Sequence, residues 1–150
     1  MTTFFQFEAD FVDSLQCIPM QVRMKLDTCG IKLKLNQWNR FNQEERQQLV
    51  SMSCSSDPEI QTYREFLQNL VTTKIGETAK ELVIDPHPDW LNEMIIPSEI
   101  QEQAASLGVK INLEQWQKLT SLQRFALIKL SQSKHENSNF LPALKEFDLV

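Results

Sequence analysis

The chain has 150 residues, of which 41% are hydrophobic and 23% are charged, and its formal net charge is −5 at pH 7. This composition is typical of a folded domain and excludes an intrinsically disordered protein. The negative net charge disfavours nucleic acid or an anionic membrane as the main partner. Only three glycines and six prolines are present, which leaves few turn residues for an all-β fold, so a helical fold is favoured.

Acidic residues dominate the N-terminal region, where Glu8, Asp10 and Asp13 precede the first basic residue, Arg23. A secretory or transit peptide has the opposite charge, and no apolar run reaches the ~18 residues that span a bilayer. The three cysteines form no Cys-x-x-Cys motif, and an odd number does not suit a disulfide framework. We therefore expect a cytoplasmic protein without a membrane anchor.

Residues 18–50 recur without a gap at residues 96–128, at a constant offset of 78 residues. Nine of the 33 aligned positions are identical, where chance gives roughly two. In the first copy the identical residues are Ile18, Pro19, Gly30, Lys32, Leu35, Gln37, Trp38, Arg46 and Leu49. A duplicated module is the favoured interpretation, and each copy then serves as an internal control for the other.

Each copy is predicted to form three helices, the first of which begins at Ile-Pro. In copy one, Ile18, Val22, Leu26 and Cys29 recur at helical spacing, and Gly30 stands where a left-handed residue would close the helix. The corresponding residues of copy two are Ile96, Ile100, Ala104, Leu107 and Gly108. A short extended link then leads to the second helix.

Capping boxes and apolar residues predict the second and third helices of each copy. The apolar residues expected to face the core are Leu35, Trp38, Phe41, Leu113, Trp116 and Leu119. The capping boxes are Asn42-x-x-Glu45, Asn112-x-x-Gln115 and Thr120-x-x-Gln123. Trp38 and Trp116, which are identical between the copies, are interpreted as core anchors. The shared Arg46 and Arg124 are expected to make an ion pair or a helix-terminus contact.

The connecting helices are expected over residues 57–95. Asp57 is predicted to cap a long helix, with Pro58 in its first turn and Gly76 at its end. Residues 129–150 are expected to form a polar loop and a short docking helix. The predicted fold class is all-α: two pseudo-symmetric three-helix modules bridged by a long helix in one domain, because each module alone is too small for its own core.

The cysteines are the first candidates for chemistry. Cys17 and Cys29 align with Ile95 and Leu107, so they are interpreted as small buried apolar residues, and Cys54 as the more exposed thiol. The alternative is a redox or cofactor-carrying protein that uses all three cysteines, although a fourth metal ligand is missing. No phosphate loop, nucleophile elbow or His-Glu-x-x-His motif occurs. We therefore predict no enzyme, no catalytic residue, no metal and no cofactor.

The first copy, residues 18–50, is the only basic block of the chain, with a net charge of +3. Arg23, Lys25 and Lys34 become glutamine or asparagine in the second copy, so the scaffold does not require positive charge there. We hypothesise that these three residues and Lys32 form a basic patch that binds an acidic partner surface. A merely solvated helix face is the alternative.

Three N-terminal motifs resemble a known family. They are Phe7-Glu8-x-Asp10-Phe11, Cys17-Ile18-Pro19-Met20 and Val22-Arg23-x-Lys25-Leu26-Asp27-x-Cys29-Gly30-x-Lys32-Leu33. With the Gln-Trp helix and the terminal Pro142-Ala-Leu-Lys-Glu-Phe, they resemble the small nitrate-reductase-associated proteins of cyanobacteria.

This resemblance implies an accessory role for a ferredoxin-dependent nitrate reductase that holds molybdopterin and an iron–sulfur cluster. It transfers no catalytic residue. We therefore predict a non-enzymatic protein that binds assimilatory nitrate reductase and supports its maturation, stability or activity. The three-helix modules also suggest a DNA-binding helix-turn-helix pair, against which the acidic balance argues. The oligomeric state and the docking face are left open.

Overall fold

The computed structural model describes residues 4–9, 17–133 and 137–150. Within these ranges the chain forms eight α-helices and one two-stranded sheet. It divides into two compact units, residues 1–85 and residues 86–150. The prediction of a mostly helical fold is confirmed, with the small sheet as an addition that the sequence reasoning did not predict. That the chain is one domain stays a prediction.

The first unit consists of four α-helices and the sheet. Its elements are a 3-10 turn at Gln6–Glu8, α1 Met20–Cys29, β1 Ile31–Lys32, α2 Leu35–Trp38, α3 Gln43–Ser51, α4 Asp57–Ile75 and β2 Lys80–Glu81. The long helix α4 ends at Gly76, which has a φ of 96°, as predicted. Its N-cap is Ser56, whose side chain accepts a hydrogen bond from the Glu59 N–H at 3.3 Å. The prediction that Asp57 is the cap is therefore wrong by one residue, since Asp57 is already helical.

Two apolar stripes meet in the core of the first unit. The buried residues of α1 and α4 at helical spacing are Val22, Leu26, Cys29, Tyr63, Leu67 and Val71. Residues three or four positions apart lie on one face of a helix, so these stripes can pack against each other over their full length. The Tyr63 hydroxyl, which would otherwise be unpaired in this core, donates to the Leu49 C=O at 2.8 Å.

The sheet pairs the segment after α1 with the segment after α4. Strands β1 and β2 are antiparallel, with Ile31 opposite Glu81 and Lys32 opposite Lys80. Gly30 precedes the sheet with a φ of 76°, and a Cβ atom there would lie 2.7 Å from Ile84 Cγ1. Only glycine fits this position, because the backbone is left-handed and the strand segment approaches it closely.

The second unit surrounds one buried helix. Its elements are a 3-10 turn at Asp89–Leu91, α5 Ser98–Ser106, α6 Leu113–Lys118, α7 Ser121–Gln132, a 3-10 turn at Asn137–Asn139 and α8 Phe140–Glu146. Helix α7 buries six of its twelve residues, among them Phe125, whose ring meets the Trp90 ring edge-on at 5.0 Å. A helix that is buried on several sides is the centre of its core. The predicted C-terminal helix is present as α8, and part of the predicted polar loop lies outside the described residues.

The predicted capping boxes are confirmed at all three positions. The backbone N–H of Asn42 donates to the Glu45 carboxylate and the Glu45 N–H donates back to the Asn42 side chain, each at 2.8 Å. The boxes that begin at Asn112 and Thr120 have the same reciprocal bonds. These sequences therefore fix the starts of α3, α6 and α7 by satisfying N–H groups that have no partner within the helix.

Three leucines of the predicted apolar stripes are exposed instead. Leu35 and Leu113 are the first residues of α2 and α6 and are 51% and 39% exposed, and Leu107 is 41% exposed. Side chains in a helix point toward its N-terminus, so a residue in the first turn can point past the helix into solvent. Leu107 follows the last residue of α5, so helical spacing no longer places it on the buried face.

Candidate functional site

Lys25, one of the four predicted partner-binding residues, is directed into the first unit. Its Nζ donates to the C=O groups of Val50 and Met52, at 2.6 and 2.7 Å, and lies 5.7 Å from the centroid of the Tyr63 ring. These carbonyls stand at the C-terminal end of α3, where no intrahelical donor is available. Burial lowers the pKa of Lys25. Lys25 therefore stabilises a helix end, which favours a structural role over the predicted role in partner binding.

The other three predicted residues do not share one environment. Lys32 in β1 and Lys34 at the N-cap of α2 are exposed, whereas Arg23 on α1 is half-buried. In extended backbone, side chains two residues apart point to the same side, so Lys32 and Lys34 are the members of the patch that lie together on the surface.

Lys80 joins this surface, although the sequence reasoning did not select it. It lies directly opposite Lys32 in the sheet and is exposed. In the described part of the chain, neither ammonium group forms an ion pair. A sequence signal was available, because Lys80-Glu-Leu-Val-Ile84 is a run of strand-forming residues between Gly76 and Pro86.

Three aliphatic residues that follow β2 are exposed side by side. Leu82 is 37% exposed, Val83 is 99% exposed and Ile84 is 47% exposed. Successive side chains of an extended segment alternate between its two faces, so Leu82 and Ile84 lie on one side and Val83 on the other, and exposed apolar side chains of this kind are common at interaction sites. The segment continues directly from Lys80. Its Leu82 N–H donates to the Gly30 C=O at 2.8 Å, two residues before Lys32, so it also lies beside Lys32.

The two shared tryptophans are each combined with a shared arginine. Trp38 and Trp116 are both fully buried. The Arg46 guanidinium lies 6.0 Å from the Trp38 ring and donates to the Asn39 C=O at 3.0 Å. Arg124 lies 5.9 Å from the Trp116 ring and donates to three C=O groups, those of Trp90, Trp116 and Leu119. Each arginine thus caps the C-terminal end of the preceding short helix, which agrees with the predicted helix-terminus contact.

The cysteines are placed for packing rather than for thiolate chemistry. Cys17, Cys29 and Cys54 are all free thiols. Cys29 is fully buried, and burial raises the pKa of its thiol to about 12. Cys54 is half-buried rather than exposed as expected, and burial raises its pKa to about 11. Nucleophilic attack and metal binding need the thiolate, so neither group is prepared for them at neutral pH.

Among the described residues, no three His, Cys, Asp or Glu side chains come together in a way that could hold a metal ion. In the same ranges, no helix combines the length and apolar character needed to cross a membrane. Exposed lysines and exposed apolar side chains both lie around the sheet.

Comparison with known proteins gives one match. The family model described as conserved nitrate reductase-associated protein matches residues 4–147 of the chain. No curated protein and no solved structure matches it. The family match therefore covers both units and agrees with the resemblance of the sequence motifs.

Proposed function

The chain belongs to the conserved nitrate reductase-associated family, and from this premise we propose that it is a non-enzymatic accessory protein that binds assimilatory nitrate reductase. Its contribution is protein–protein contact that supports the maturation, stability or activity of that enzyme. The observation that carries the proposal is the family match over nearly the whole chain, since the family is described by its association and not by a reaction.

The surface of the first unit supports a contact function. Lys32, Lys34 and Lys80 are exposed beside the aliphatic segment 82–84. Interfaces combine an apolar centre with a charged rim, and charge complementarity speeds the encounter with the correct partner. An acidic region of nitrate reductase is the partner surface that this arrangement fits.

We also propose that the chain arose by duplication of a three-helix module. Helices α1, α2 and α3 start at residues 20, 35 and 43, and α5, α6 and α7 start at residues 98, 113 and 121. The starts of each pair lie 78 residues apart, and each copy has a tryptophan and an arginine eight positions apart that are in contact. We likewise propose a cytoplasmic location, a cyanobacterial source and a single-domain organisation.

The redox alternative, in which Cys17, Cys29 and Cys54 hold a cofactor or relay thiols, is less favoured. Burial of Cys29 in the core limits access of a cofactor or a second thiol to its sulfur, and the raised pKa values of Cys29 and Cys54 slow thiol exchange at neutral pH.

Size-exclusion chromatography with mass detection tests the proposal. The chain is mixed with nitrate reductase from its own organism, prepared with and without its cofactors, at low and at high salt. A maturation factor is expected to co-elute with the cofactor-free enzyme alone. An activator or subunit is expected to co-elute with both forms, and high salt should weaken a complex that depends on exposed charges.

Absence of a complex with either form of the enzyme, at low salt and micromolar concentrations, would contradict the proposal. Metal analysis and a visible absorption spectrum of the purified chain then test the redox alternative, which predicts bound iron or colour.

A further inference from the structure

Among the described residues, no strand pairs with the outer edge of β2. In an antiparallel pair, residues alternate between pairs that bond to each other and pairs whose N–H and C=O groups point outward. The Leu82 N–H donates to the Gly30 C=O across the ladder, and Lys80 lies opposite Lys32. The backbone groups of Glu81 and Val83 therefore face away from β1.

Val83 is the residue of this edge that is most accessible to a partner strand. In the described part of the chain its N–H and C=O have no backbone partner, and its side chain is 99% exposed. Proteins usually protect an edge strand with proline, charge or a covering element. Here the charged pair Lys80–Glu81 and Pro86 flank the segment, and the three residues between them, 82–84, are aliphatic and exposed.

The segment is held in place before any partner binds. Ile84 lies over Gly30, where a Cβ atom would be 2.7 Å from Ile84 Cγ1 and 2.9 Å from the Leu82 C=O oxygen. On the other side of the sheet, Arg64 of α4 forms an ion pair with Glu81 and donates to the Cys29 C=O at 2.8 Å. An edge that is fixed in this way loses little conformational entropy on binding.

The exposed lysines indicate that a segment bound at this edge should carry negative charge. Like charges directly opposite each other in a sheet are destabilising, and Lys32 and Lys80 are such a pair, with Lys34 close in the chain. Carboxylates on an added strand would neutralise them. A nucleic acid or an anionic membrane would also do so, but the net charge of −5 repels a large polyanion.

We propose that an extended, acidic segment of nitrate reductase adds to β2 as a third strand. Its backbone bonds to the outward groups of Glu81 and Val83, its carboxylates lie beside Lys80 and Lys32, and its apolar side chains cover segment 82–84. This mode of recognition combines backbone hydrogen bonds for affinity with side-chain contacts for specificity. It rests on the proposed function and adds the docking site and the chemistry of the segment.

Variants of the full-length chain test the site, with nitrate reductase as the probe and Kd measured at low salt. Val83→Pro removes the outward N–H but keeps an apolar side chain, and Val83→Thr keeps the N–H, so the two separate backbone pairing from apolar contact. Lys32→Glu has a matched control in Lys110→Glu, the exposed lysine at the corresponding position of the second copy. Circular dichroism and thermal melts verify that each variant is folded.

We expect Val83→Pro to weaken binding at least tenfold, more than Val83→Thr, because it abolishes a backbone hydrogen bond at the centre of the site. Lys32→Glu and Lys80→Glu should each weaken binding roughly three- to tenfold, and Lys110→Glu should leave it unchanged. Hydrogen exchange should show protection of residues 80–84 in the complex.

A complex that forms normally with all of these variants, without protection of residues 80–84, would overturn this site while leaving the accessory function intact. Absence of any complex with the wild-type chain would overturn both. Two other outcomes would also overturn the proposal, because each would show that something other than nitrate reductase occupies the edge. One is a dimer of the chain that the Val83→Pro substitution dissociates. The other is binding to anionic vesicles but not to the enzyme.

Discussion

Arg46 in the first copy and Arg124 in the second stand at the same distance from a buried tryptophan, about 6 Å in each case, yet their surroundings differ. Arg46 is half-buried, whereas Arg124 is 3% exposed and serves three carbonyl groups. The shared residue has the same local task in both copies, which is to cap a short helix. The surroundings of the arginine, which the copies do not share, determine how much stability each unit loses when this arginine is replaced.

Two other positions show how the copies differ. Lys25 bonds to the end of α3, and the second copy has Gln103 at that position. Gly30, which is shared, is crowded by the strand segment, whereas no atom would lie within 4 Å of a Cβ at its counterpart Gly108. Among the described residues, only the first copy is joined to a sheet, so the same glycine is under a tighter constraint there than in the second copy.

The largest expected effect is on the arginine caps. Arg124→Met should lower the free energy of unfolding by about 3 kcal/mol, because it leaves buried carbonyl groups without a donor. Arg46→Met should cost only about 1 kcal/mol, because water can replace its contacts. Urea denaturation of both variants measures the difference. Equal losses would show that burial does not distinguish the two copies.

The two glycines offer a second comparison. Gly108→Ala should cost about 1 kcal/mol, which reflects the left-handed backbone alone. Gly30→Ala should cost about 2–3 kcal/mol, because the same strain is joined by contacts with Ile84 and the Leu82 carbonyl. Thermal or urea unfolding gives both values. Gly30→Ala should also weaken the nitrate reductase complex, since it displaces segment 82–84, and Gly108→Ala should not.

Lys25→Gln gives the first copy the residue that the second copy has at this position. It should lower the free energy of unfolding by about 1–2 kcal/mol, because the Val50 and Met52 carbonyls lose their donor. Its affinity for nitrate reductase should be unchanged, since the ammonium group is already engaged inside the unit. A loss of affinity without a loss of stability would return Lys25 to the basic patch.

The features that could be predicted from the sequence are those encoded locally. Capping boxes, helix-closing glycines and the anchor tryptophans each depend on residues within one turn of each other. Lys25 could also have been placed, because it lies three residues after Val22 and four before Cys29, on the buried face of α1. Helical position, rather than charge, is the sequence signal that indicates the structural role of this lysine.

The docking edge could not be predicted in the same way. Strands β1 and β2 have two residues each and lie about 50 positions apart in the chain, so no local periodicity predicts their pairing. Lys80 lies outside the basic block of residues 18–50, although its structural neighbour is Lys32. The exposure of Val83 likewise depends on which edge of β2 faces β1, which only the register determines.

The smallest expected effect separates the packing role of Cys29 from the redox alternative. Its pKa is about 12 in the folded chain against an ordinary value of 9.0. Below pH 9 both states hold the proton, but at higher pH the unfolded chain releases it and the folded chain does not. Stability that comes from the buried thiol is therefore lost as the pH rises from 9 toward 12.

Between pH 8 and pH 10, the wild-type chain should lose about 1 kcal/mol more stability than Cys29→Ala. Lys25, Cys54 and Tyr63 are present in both proteins, so their titration largely cancels in this difference, and the part that does not cancel is the contribution of the Cys29 charge to the raised pKa of Tyr63. Urea denaturation at the two pH values measures it. Parallel slopes would mean that Cys29 ionises as easily in the folded chain as in the unfolded one, which a redox role requires. A steeper wild-type slope would mean that this thiol stays protonated in the folded chain and packs there as an aliphatic side chain does in a core, which agrees with the aliphatic residue that the second copy has at this position.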